Sequence, residues 1–221
     1  GDYINGNIQA TQVLLEAAIS APLERFIYAS SSSVYGDGVK IPMREDTQPQ
    51  PISPYGVTKL TAEQLCHLYW TTYDVPAVAL RYFTVYGPRQ RPDMAFNRFL
   101  RALLSDSGIN LYGNGQQTRD FTFVEDAVRA TVAAGNVGVP GQVYNVGGGS
   151  RVTINHVLEI MARLTNRQPI IHHEDPQKGD MRDTYADTSK AYDELGFSPR
   201  VTLENGIQAE FQWISSTLAP I

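Results

Sequence analysis

Ser30-Ser31-Ser32-Ser33-Val34-Tyr35-Gly36, followed about twenty residues later by Tyr55-Gly56-Val57-Thr58-Lys59, is the stretch from which this chain is best read. A tyrosine and a lysine four residues apart share one face of a helix, so the ammonium can lie close to the phenol. A nearby positive charge favours phenolate and brings a group with an ordinary pKa of about 10 toward working pH. The pair predicts a general base. A serine hydroxyl completes a proton relay if the serine run ends a strand that faces the helix. Arg25-Phe26-Ile27-Tyr28-Ala29 is apolar and aromatic enough for that strand, and Ser53-Pro54 reads as an N-cap with proline at the first helical position. Two plainer readings compete: four serines also suit a linker, and Tyr-x-x-x-Lys alone also describes an exposed helical pair. The strand before the serines and Val-Tyr-Gly after them favour the relay.

Working outward, the pattern predicts helix over 7–20, strand over 25–30, helix over 54–73, strand over 77–83, helix over 94–105, and a helix over 125–135 that opens with Glu125 and Asp126. Strands alternating with helices imply a parallel sheet flanked by helices, with active residues at the carboxyl ends of its strands. From residue 108 the pattern loosens into short strands and turns, with later helices near 153–165 and 202–217. The expected organisation is therefore a sheet domain over 1–107. A smaller mixed α/β lobe covers 108–221, discontinuous, with some segments returning to the sheet.

Composition narrows function only by exclusion. Eighteen basic against 23 acidic residues leave a net charge of −5, which argues against a nucleic-acid footprint or a polybasic membrane patch. The single cysteine, Cys66, rules out an internal disulfide framework, and the lack of a signal peptide or long apolar segment makes the cytoplasm the expected compartment. The four histidines predict no metal site: His172 and His173 are adjacent on an expected strand and so face opposite ways, while His67 and His156 are isolated.

Taken in order, several segments resemble the extended short-chain dehydrogenase/reductases, and within them the NAD-dependent nucleotide-sugar epimerases. The segments are Asn7 to Thr11, the serine run, Tyr55 to Lys59, Leu80-Arg81-Tyr82-Phe83-Thr84-Val85-Tyr86-Gly87-Pro88, Arg91 to Ala95, Thr118-Arg119-Asp120-Phe121, and Gly179-Asp180 with Ala186 to Lys190. The resemblance implies a Rossmann-like fold. It also implies a chain lacking roughly 80 to 95 N-terminal residues, because the glycine-rich turn of the first βαβ unit is absent. Gly147-Gly148-Gly149 comes late and reads as a turn before a helix.

The same resemblance implies roles for residues. Ser31, Tyr55 and Lys59 would be catalytic; Asn7, Ala29, Ser30, Tyr55, Lys59 and Tyr82 would meet NAD; Ser32, Thr84, Arg91, Arg119 and Asp180 would meet a UDP-sugar. Read from the residues alone, Arg119 could instead pair with Asp120 or Asp126, Arg91 could be a solvated charge, and Asp180 a turn former. Thr84 and Gln177 resemble UDP-glucuronate 4-epimerases more than UDP-glucose 4-epimerases. A 4,6-dehydratase would carry an Asp-Glu pair where Ser32 and Ser33 stand, and a decarboxylase an asparagine where Thr84 stands. A non-catalytic remnant or association module is the reading from outside the enzyme class. Helices 7–20 and 54–73 resemble those that pair across a two-fold axis in the family, which implies a homodimer.

Overall fold

The computed structural model describes residues 1–218, so the last three residues of the expected second lobe lie outside it. A π-helical turn, Ile4–Gln9, runs into α1 (Ala10–Ala18), followed by β1 (Phe26–Ser31), a 3-10 turn at Ser32–Val34, α2 (Pro54–Tyr73) and β2 (Ala77–Tyr82). Next come β3 (Thr84–Tyr86), α3 (Ala95–Leu104), β4 (Gly108–Tyr112), β5 (Thr118–Phe123) and α4 (Val124–Val137). The chain continues through β6 (Val143–Val146), β7 (Arg151–Thr153), α5 (Ile154–Thr165), β8 (Ile170–Glu174), α6 (Ser189–Leu195) and α7 (Leu203–Leu218). The short helix α6, which ends at a left-handed Gly196, has no counterpart among the elements expected from the sequence.

Strands β1, β2 and β6 form a parallel sheet in the order β1-β2-β6. Strand β2 is central, and its sequence shows why. Ala77 and Ala79 point to one face and Val78 and Leu80 to the other, all buried, as a strand covered on both sides requires. On the first face they meet Leu15 and Ala18 of α1 and Ala62, Cys66 and Tyr69 of α2. The opposite face packs on Ala130 and Ala134 of α4 and Ala191 and Leu195 of α6. The register places Ser31 level with Tyr82, and Tyr82 level with Val146, so three strands end in one row. This is the α/β architecture that the alternating pattern predicted.

A second core lies beyond the row. Strands β3, β5 and β7 form one small sheet, β4 pairs with β8 in another, and α3, α5 and α7 pack among them. Helix α3 buries Phe96, Phe99, Leu100 and Leu103, the i, i+3, i+4, i+7 stripe of a one-sided helix. Helix α3, before residue 107, packs in this second core, while α4, β6 and α6, after it, pack with the first sheet. Among the described residues no helix is long and apolar enough to cross a membrane.

Candidate active site

Residues immediately beyond the serine run fix its loop. Tyr35 is fully buried, its hydroxyl donating to Asn145 Oδ1 at 2.7 Å while its ring lies against the Arg81 guanidinium at 4.7 Å. Gly36 has φ +81°, and a Cβ there would stand 1.9 Å from the Gln50 carbonyl oxygen, so only glycine passes. These anchors hold Ser32–Val34 in a 3-10 turn whose cap is Ser31. Helix α2 starts as its sequence predicted: Ser53 Oγ accepts from the Gly56 N–H at 3.1 Å, with Pro54 in the first turn. Gly56 then permits the contact that matters, since a Cβ on it would lie 2.5 Å from the Ser33 carbonyl oxygen. The helix and the serine loop touch through backbone, which sets Tyr55 beside Ser31.

Ser31 Oγ accepts from the Ser33 N–H at 3.2 Å and from the Ser33 hydroxyl at 2.9 Å, and Ser31 and Tyr55 border the same cleft. Burial of the ring raises the Tyr55 pKa; the nearby Ser31 hydroxyl and the charge of Arg91 oppose that rise, and Tyr3 adds to it. Lys59 stands 5.8 Å from the Tyr55 ring centroid, but its ammonium donates to the Ala29 carbonyl at 2.9 Å. Burial lowers the Lys59 pKa. Helical spacing predicts that Lys59 draws the phenol down; in the structure its ammonium lies beside the Tyr55 ring and is held on the Ala29 carbonyl at the end of β1.

The residues expected to meet the cofactor divide. Ala29, Ser30, Tyr55, Lys59 and Tyr82 border one cleft of about 750 Å³ at the carboxyl ends of β1 and β2. Within it the Ser30 hydroxyl is turned inward, donating to Glu63 Oε2 at 2.6 Å, and the Tyr82 hydroxyl is bonded to Thr131 at 2.6 Å. Asn7 is not brought to this cleft. Its amide donates to Thr58 Oγ1 at 2.9 Å, and Thr58 in turn donates to the Tyr55 carbonyl at 2.9 Å, so Asn7 braces the first turn of α2 from behind. Below the serines lies a buried ion pair: Arg81 Nε and Nη2 donate to Glu63 Oε2 and Oε1 at 3.1 and 2.5 Å.

The cleft continues into a second cavity of about 460 Å³ that shares Thr84, Met94, Arg119 and Asp180 with it. Its far end is apolar, with Phe99, Leu111, Phe121 and Ile154 in the wall beside Asn110 and Gln177. Arg119 stands at the junction, donating to the Thr118 and Arg182 carbonyls at 3.0 Å each and pairing with Asp180 at 2.7 Å. Neither partner suggested by local spacing holds it. Asp120 points into the interior and accepts the Gly148 and Ala186 N–H groups at 2.7 and 3.0 Å, and Asp126 accepts from Arg200 and Val201 N–H groups. Burial pushes the Asp120 carboxyl up to about 6 against those N–H bonds. Ser32 borders the end of the cleft that holds Ser31 and Tyr55; Arg91 sits at the exposed rim, paired with Asp93 at 3.2 Å.

Two neighbours of the site are not foreseen by sequence. Tyr3 packs edge-on to Tyr55 at 5.6 Å between ring centroids, and Gln90 fixes the loop before α3 through bonds with Val85 and Asn97. Neither carries a motif that spacing alone could expose. Among the described residues no group of three or more His, Cys, Asp or Glu is placed to hold a metal ion. His172 lies against Gly108 and the His173 ring meets the Gly113 carbonyl at 2.8 Å.

Comparison with known proteins adds four matches. Residues 1–147 match a family described as the NAD dependent epimerase/dehydratase family. The chain is 42% identical over 215 residues, 97% of its length and 68% of the relative's, to an uncharacterised UDP-glucose epimerase, YtcB, of Bacillus subtilis strain 168. It is 36% identical to the UDP-glucuronate 4-epimerase of Thermodesulfobacterium geofontis, over 96% of this chain and 65% of that protein. The crystal structure of UDP-glucuronic acid 4-epimerase from Bacillus cereus, in complex with UDP-glucuronic acid and NAD, superposes with a TM-score of 0.93 at 42% identity, covering 97% of this chain and 68% of that one. This chain spans about two thirds of the length of these relatives.

Proposed function

The chain belongs to the NAD dependent epimerase/dehydratase family, and from that premise we propose that it inverts C4 of a UDP-sugar, UDP-glucuronate or UDP-glucose, through a 4-keto intermediate. The observation that carries this reading is one continuous trough. Ser31 and Tyr55 lie at one end, the Arg119–Asp180 junction in the middle, and an apolar slot at the other. A nucleotide base suits the slot, a diphosphate suits the arginine, and a sugar then reaches the hydroxyls. The hydroxyls of Ser32 and Thr84 near that end suit a uronate carboxylate, and neither Ser32 nor Ser33 is the acid that dehydration would need.

The residues present fit the nicotinamide end of NAD. Lys59 and Tyr55 would hold it, beside the main chain of Ala29 and Ser30. The Gly147–Gly149 turn does not serve the pyrophosphate, because Asp120 already takes its Gly148 N–H. When bound, NAD supplies reversible two-electron oxidation at C4. Tyr55, as phenolate, accepts the proton of the 4-hydroxyl; Ser31 donates a hydrogen bond to the same oxygen. Arg119 keeps its grip on the diphosphate while the keto sugar turns over, and Tyr55 returns the proton to the oxygen on the inverted carbon. Net redox is zero.

The test is NMR of the purified protein with UDP-glucuronate and with UDP-glucose, alongside assay of NAD released on denaturation. We expect inversion at C4 of one sugar. The reading is overturned if protein that carries NAD inverts neither.

We infer, too, that the molecule pairs with a second copy through α1 and α2. Val13 and Leu14 of α1 and Val57 and Leu68 of α2 are apolar and between 48 and 59% exposed, a solvated apolar face of the kind that marks an interface. Sedimentation at micromolar concentration should show a dimer; a monomer alone would refute it.

A further inference from the structure

We propose that Ser33 is a positioning residue for this reaction, directing the single hydroxyl proton of Ser31 toward Tyr55 and the substrate oxygen that lies between them. A serine hydroxyl has one proton to donate and two lone pairs to accept with. Ser33 occupies both lone pairs of Ser31 Oγ, through its N–H at 3.2 Å and its own hydroxyl at 2.9 Å. With both lone pairs taken, the Ser31 proton is left the remaining direction, toward the cleft that Ser31 and Tyr55 both line. With Ser33 in place, Ser31 is a fixed donor to an oxygen at C4. Without the Ser33 hydroxyl, one lone pair is freed and the proton can turn away.

Ser33 is itself held. Its carbonyl lies against Gly56 at a spacing that admits no Cβ, and the next two residues, Val34 and Tyr35, are completely buried. The backbone N–H bond alone would leave Ser31 half-constrained. Ser32, between the two, borders the cleft and makes no side-chain bond of this kind, so the device is specific to alternate residues of the run.

The kinetic part of the proposal rests on the epimerase reading; the titration part does not. With 13Cζ-labelled tyrosine, the Tyr55 signal is assigned by its loss in Tyr55→Phe and then titrated in the wild type, Ser33→Ala and Ser33→Thr. Tyr3, Tyr28, Arg91 and Lys59, the other titratable groups near the Tyr55 ring, are unchanged by either substitution. Ser33→Ala should raise the Tyr55 pKa, and Ser33→Thr, which keeps the hydroxyl, should restore it. In turnover of the sugar nucleotide, Ser33→Ala should lower kcat about tenfold with little change in KM, part of the roughly 10²- to 10⁴-fold that a positioned proton-transfer group supplies. An unchanged Tyr55 titration in Ser33→Ala overturns the proposal, whether or not the wild type turns over. A raised KM at constant kcat also overturns it, since that marks Ser33 as a substrate contact only. If the wild type carries NAD and inverts no sugar, the epimerase reading fails and the titration alone decides the role of Ser33.

Discussion

Tyr55→Phe is expected to lower kcat by roughly 10²- to 10⁴-fold while leaving KM and bound NAD nearly unchanged, because it removes only the atom that carries the proton. The ring itself stays fixed by its edge contact with Tyr3 and by Lys59 beside it. The folded state loses at most one hydrogen bond of the phenol, a cost of about 1 kcal/mol that a melting curve separates from the kinetic loss. The pH profile sharpens the test. A base acts only when deprotonated, so the rate falls as pH drops through the Tyr55 pKa, and burial has moved that limb upward from the ordinary tyrosine range. The residual activity of Tyr55→Phe should lack the limb. Near-normal turnover in the variant would remove Tyr55 from the mechanism and leave the trough a binding site without its base.

The second large effect is on stability. Glu63→Ala should cost about 3–5 kcal/mol, the range for removing one partner of a buried ion pair. The Arg81 side chain is 4% exposed and makes both of its strong bonds to Glu63; left after the substitution are the Tyr35 ring face and the Glu45 carbonyl at 3.4 Å. Burial works against the guanidinium charge, and the Glu63 bonds outweigh it, so the Arg81 pKa stands above its ordinary value only while Glu63 is there. Ser30 loses its acceptor in the same stroke. For a chain of this size the melting temperature should fall by about 6–20 °C. The paired replacement Glu63→Leu with Arg81→Leu should sit closer to wild type than Glu63→Ala, since the penalty is an uncompensated charge and not the absence of a bridge. A loss under about 1 kcal/mol for Glu63→Ala would mean that water reaches Arg81 and that the ion pair does not anchor the sheet.

Local pattern alone dictated a good deal of this molecule. The double-faced apolar run at 77–82, the Ser53-Pro54 cap and the one-sided stripe of α3 each follow from periods of 2 and 3.6 residues, which involve only near neighbours. The serine run beside Tyr55 and Lys59 was legible for the same reason: strand, turn and helix come within about thirty residues of one another, and the turn leaves few ways to fold back, while the choice of Ser31 within the run came from the family resemblance. Other features came from packing. Asn7 turned to Thr58, Ser30 to Glu63 and the Lys59 ammonium to Ala29, because those choices depend on which neighbour the burial of α2 against the sheet brings within reach. Arg119 found Asp180, 61 residues away, in place of the adjacent Asp120. Successive strand residues face opposite ways, so the carboxylate next door was the one it could not meet, and the distant one was supplied by the fold.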